Sequence, residues 1–143
     1  MKTLVVFLWA VGFSILGCDD RPPPNVAAAH SQLRVATDVY WALGKNGYIA
    51  TKEKPHPSRH GCKSTEYLAQ KNEARFRISV FHCGEAEQAA ALVEHPKTRR
   101  IDSLLRHHGE GGVIQRGPLK IIVRMTQGQK TDAQGLMHLL GNL

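Results

Sequence analysis

The sequence predicts an α+β domain, a small antiparallel sheet of four to five strands with helices packed on one face. Three observations carry this. Apolar residues alternate with polar ones at Phe76, Ile78 and Val80, and again at Leu119, Ile121, Val123 and Met125, the period-two pattern of strands with one wet face. Other segments repeat apolar residues every three or four positions, as amphipathic helices do. Each long strand is also preceded by a short one across a turn and followed by a helix, so the order ββα recurs as a weak pseudo-repeat.

Taken in order, Asn25 is placed to cap a helix over residues 26–43, with Ala29, Leu33, Ala36, Tyr40 and Leu43 on one face and Gly44 as its stop. Residues 47–51 read as a short strand. Residues 54–61 read as loop, because Pro55, Pro57 and Gly61 interrupt regular structure. Glu66 to Ala69 is expected to pair, across Lys71, Asn72 and Glu73, with a strand over 75–82 whose Arg75, Arg77 and Ser79 point away from the core. A helix follows with Glu85 and Glu87 at its positive end and Ala86, Ala89, Ala90 and Val93 as its buried stripe. Pro96 lies past its end, and Thr98 caps a further helix in which Ile101, Leu104, Leu105 and His108 share a face before Gly109. Val113 to Gln115 then turns at Gly117 and Pro118 into the second long strand. Thr131 and Gln134 form a capping box for a last helix with Ala133, Leu136, Met137 and Leu140 on its apolar side. Residues 26–143 thus read as one domain, of a size that buries a modest core.

The first twenty residues have a different character. Lys2 precedes an uncharged apolar run from Leu4 to Phe13, shorter than the ~20 residues a membrane-spanning helix needs. These are the proportions of a signal peptide, here residues 1–17. The run closes on Ile15, Leu16, Gly17 and Cys18, and there the chain turns polar at Asp19, Asp20 and Arg21. This junction resembles the lipobox of bacterial lipoproteins, with Ile15, Gly17 and Cys18 on the matching positions. The resemblance implies cleavage before Cys18, acylation of its thiol and amino group, and anchoring in a lipid bilayer, for which two or three acyl chains suffice. Asp19 after the acylated cysteine, reinforced by Asp20, resembles the signal that keeps Gram-negative lipoproteins at the inner membrane, facing the periplasm. Pro22, Pro23 and Pro24 make residues 18–25 a stiff spacer between anchor and domain.

With Cys18 acylated, Cys62 and Cys83 are the remaining cysteines. Outside the cytoplasm such a pair is expected to be oxidised to a disulfide. The alternative is a metal-delivery site in which reduced Cys62 and Cys83, with His60 and His82, hold zinc or copper. Its spacing fits no C-x2-C knuckle, and neighbouring residues such as His82 and Cys83 leave a strand on opposite faces. His107 and His108 diverge similarly on a helix, so no metal ligand is assigned. Neither a nucleophile with its base nor a phosphate-binding glycine loop followed by Lys and Ser or Thr is legible, so neither catalysis nor a cofactor is expected.

A net charge of +7, from 19 Lys and Arg against 12 Asp and Glu, is the remaining general feature. Arg75, Arg77, Lys120 and Arg124 fall on the outward faces of the two long strands. If those strands are neighbours, the four make a basic strip on an uncovered sheet face. It would suit an anionic leaflet, an acidic envelope protein or another acidic surface. Nucleic acid is not an expected partner for an exported chain. The sequence therefore reads as a membrane-anchored extracytoplasmic lipoprotein with a binding or scaffolding domain.

Overall fold

Alternating side chains on the long strands divide this molecule into two unequal faces. The computed structural model describes residues 33–53 and 56–143, without the side chains of 56–59. The signal peptide, Cys18, Asp19, Asp20 and the spacer lie outside them. The chain runs α1 (Ala36–Lys45), β1 (Ile49–Lys52), β2 (His56–Arg59), β3 (Cys62–Lys71), β4 (Ala74–His82), α2 (Ala86–Glu94), α3 (Pro96–His108), β5 (Gly111–Arg116), β6 (Leu119–Gln127) and α4 (Lys130–Gly141).

The fold is α+β, with an antiparallel sheet in the order β1-β3-β4-β6-β5 and β2 pairing on β3 beside β1. Lys71 opposes Ala74 across the two-residue turn of Asn72 and Glu73. Asn72 takes a φ of 54°, which its short side chain tolerates. From this turn the register carries Phe76, Ile78 and Val80 to the same face as Tyr67, Ala69, Ile121 and Val123. All are buried, together with Val39 and Leu43 of α1 and Ala133, Leu136 and Leu140 of α4. The main core therefore lies on one sheet face, closed by α1 and α4. Tyr67 ties the two layers, its hydroxyl donating to the carbonyl of Ala36 at 2.9 Å.

α2 and α3 lie against the other face, over the β5–β6 half. Ala89 of α2 is buried with Cys62 and Cys83, and Leu105 of α3 is buried too. α3 also shields edge strand β5. The Asp102 carboxylate accepts from the Val113 amide (2.7 Å) and from Arg106 Nε (2.8 Å), while Arg106 donates to the Val113 carbonyl (3.2 Å). The order ββα recurs as β3-β4-α2 and β5-β6-α4, with the two helices on opposite faces.

Several boundaries differ from those expected. Leu33, Arg34 and Val35 precede α1 in non-helical form, because the Asp38 carboxylate accepts from the amides of Arg34 and Val35 and caps the helix at Val35. His56–Arg59, expected as loop, pairs with β3; Pro57 is accommodated because this is an edge strand, where a missing N–H breaks no ladder. α3 starts at Pro96, not after Thr98, with His95 Nδ1 accepting from the Lys97 amide. The last helix is capped by Gln129 with Asp132, two positions before the expected box. Of the predicted α2 stripe, only Ala89 is fully buried.

Candidate functional site

On the half of the second face that the helices leave open, the register sets side chains in rows. Thr51, Leu68, Arg77, Arg124 and Gly111 oppose one another in sequence across five strands. One row towards the helices stand Glu66, Ser79, Ile122 and Val113, and beyond them Ser64, Phe81, Lys120 and Gln115. On the opposite side Ile49, Gln70 and Arg75 align. Arg75, Arg77, Lys120 and Arg124 therefore do share a face, with β4 and β6 as neighbours.

They do not share an environment. Arg75, Arg77 and Arg124 are exposed, whereas Lys120 is only 6% exposed. This departs from the basic strip of four, because α2 and the start of α3 cover the end of the face where Lys120 stands. Its ammonium donates to the Thr98 hydroxyl (3.1 Å) and lies 4.5 Å from the centre of the Phe81 ring. Burial holds its pKa below the ordinary lysine value. The open strip is thus three arginines. Arg77 Nε meets Glu66 Oε1 at 3.3 Å, while Arg124 has no ion-pair partner among the described residues.

The arginines are set among aliphatic side chains that a core-building reading would have buried. Ile49 is 78% and Leu104 51% exposed, and Leu68 and Ile101 are exposed as well. Arg77, Ile122 and Arg124 from the sheet and Ile101, Leu104 and Leu105 from α3 enclose a cavity of about 280 Å³. Arg77 also borders a groove of about 470 Å³ reaching Ile49, Leu68 and Arg75. Sharing Arg77, they make one trough, aliphatic along α3 and mixed polar and apolar towards β1, with a guanidinium row across it. Periodicity signalled Ile101 and Leu104 as a helical apolar face, but not that this face is left open to water.

Cys62 and Cys83 form a disulfide, their Cα atoms 4.2 Å apart, one step beyond the Lys63–His82 pair of the β3–β4 ladder. Phe81 and Leu92 pack around it with Ala89. The two sulfurs are bonded to each other and offer no thiolate to a metal, and no cluster of His, Cys, Asp and Glu among the described residues could hold one. His107 and His108 stack edge to face at the exposed end of α3. No helix among the described residues is long and apolar enough to cross a membrane. Neither a known protein family, nor a curated protein, nor a solved structure matches this chain.

Proposed function

We propose that this chain is an exported lipoprotein, held at the bilayer through acylated Cys18, whose domain is a non-catalytic binding module for an acidic envelope protein. The occupant of the trough is a segment of that partner bearing both carboxylates and aliphatic side chains. For a Gram-negative envelope, Asp19 and Asp20 keep it on the periplasmic face of the inner membrane.

The observation that carries the binding reading is Arg77 beside Arg124 on an open sheet face, bordered by exposed Ile49, Leu68, Ile101 and Leu104. Scattered aliphatic exposure is ordinary, but exposed aliphatic side chains on both sides of an arginine row suit an interaction surface. The anchor rests on the Ile15, Gly17 and Cys18 pattern and is supported by the Cys62–Cys83 bridge, since disulfides persist outside the reducing cytoplasm. Metal delivery through Cys62, Cys83 and neighbouring histidines has no comparable support.

Two experiments test the two halves. Cells fed labelled palmitate should label the wild-type chain and not Cys18→Ala; persistent labelling of the variant would overturn the anchor. Photo-crosslinkers placed at Leu68 and Leu104 in intact cells should trap one partner, and Arg77→Glu with Arg124→Glu should abolish the adduct. An adduct indifferent to those charges would overturn the trough.

A further inference from the structure

A second site is built around the lysine that the open face does not include. Lys120 is buried, yet no carboxylate of the described residues pairs with it. Residues 54–59 contain no acid either. An ammonium withdrawn from water without a counter-charge is expensive, and one hydroxyl and one aromatic face offset only part of that.

Lys120 lines a cavity of about 560 Å³ whose other walls include His60, Gln88, His95, Lys97 and Thr98. Gln88, Lys97 and Thr98 each carry a donor on this cavity. Gln88 uses its amide oxygen to accept from the Gly84 amide at 3.2 Å, which leaves its NH2 group for a ligand. Thr98 accepts from Lys120 and keeps its own hydroxyl proton to give. Thr98 and Lys97 lie in the first turn of the thirteen-residue α3, whose positive end faces this region. No residue lining this cavity lines the arginine cavity against α3.

We propose that this cavity binds a phosphate-sized oxyanion, with Lys120 Nζ and the Thr98 hydroxyl as its inner contacts and Lys97 as a charged rim. The anion supplies a counter-charge that none of the described residues gives Lys120. The inference is independent of the lipid anchor and of the trough.

The test is a titration of the purified full-length chain with inorganic phosphate, sodium chloride being adjusted to hold ionic strength constant. Thermal unfolding should show a saturable rise in midpoint, because a ligand bound only by the folded state stabilises it. Amide resonances should move around Thr98 and Lys120. Lys120→Met, which keeps the alkyl stem and removes the charge, should abolish both responses; Lys97→Gln should weaken binding about three- to ten-fold, as loss of one charge-assisted contact does. A free ion and a lipid headgroup share this chemistry. Binding to phosphatidylglycerol vesicles over neutral ones, lost in Lys120→Met and not matched by free phosphate, would assign the headgroup as the source. No saturable response to either probe, or an undiminished one in Lys120→Met, would overturn the site. Should Lys120→Met fail to fold, resonance shifts in the wild type that centre on Arg77 and Arg124 would overturn it equally.

Discussion

Arg77 and Arg124 stand directly opposite each other on neighbouring antiparallel strands. Like charges so placed repel, by an amount comparable to the attraction of an opposite pair. Arg124→Glu should therefore stabilise the domain by about 0.5 kcal/mol in urea unfolding while weakening capture of the acidic partner. A variant that lost stability would show that the two cations do not feel each other across the ladder.

The Cys62–Cys83 bridge closes a loop with a sequence separation of 21. In the chain-entropy account that is worth about 3 kcal/mol. Cys62→Ala with Cys83→Ala, or reduction of the wild type, should lower unfolding free energy by about that amount, read from denaturant curves with and without reductant. Equal curves would show the bridge to be energetically idle.

Two glycines should respond oppositely to alanine. Gly111 has a φ of +145°, and an added Cβ would collide with the carbonyl oxygen of Val123. Backbone cannot yield there, so Gly111→Ala should destabilise by more than about 3 kcal/mol or prevent folding. Gly135 lies exposed within α4 with nothing near its would-be Cβ. Gly135→Ala should raise stability by about 0.5–1 kcal/mol in the same assay.

Alkaline pH should separate Lys120 from the tyrosines of the main core. Its pKa is lowered by burial, so between that value and the ordinary 10.5 the unfolded chain holds a proton that the folded one has released. Stability from this group therefore rises with pH across that window. Tyr48 and Tyr67 act the other way, since burial raises their pKa above 10.0 and stability falls once the unfolded phenols ionise. The difference in unfolding free energy between Lys120→Met and the wild type isolates the lysine. It should shrink as pH climbs towards 10.5, and a constant difference would contradict the burial argument.

The parts of this fold that were legible beforehand are those where one side-chain period decides the answer. Phe76, Ile78 and Val80, like Leu119, Ile121 and Val123, alternate because one face carries the main core and the other is covered only in part, and all six are buried. Helix ends were less legible, because caps depend on which of several acceptors wins. Asp38 and Asp132 each took the cap from residues named by pattern alone. Pro57 argued for a loop until β3 supplied an edge to pair with. The site was half legible: the arginines of β4 and β6 could be placed on a common face, but the path of α3 could not. That path buries Lys120 while leaving Ile101 and Leu104 in water, a tertiary outcome to which helical periodicity is blind.

The Asp102 and Arg106 contacts to Val113 occupy main-chain groups that the β5 rim would otherwise offer to another strand. At the opposite rim no further described strand pairs outside β1 and β2. An incoming strand would have to displace the Asp102 and Arg106 contacts before it could pair with β5 at Val113.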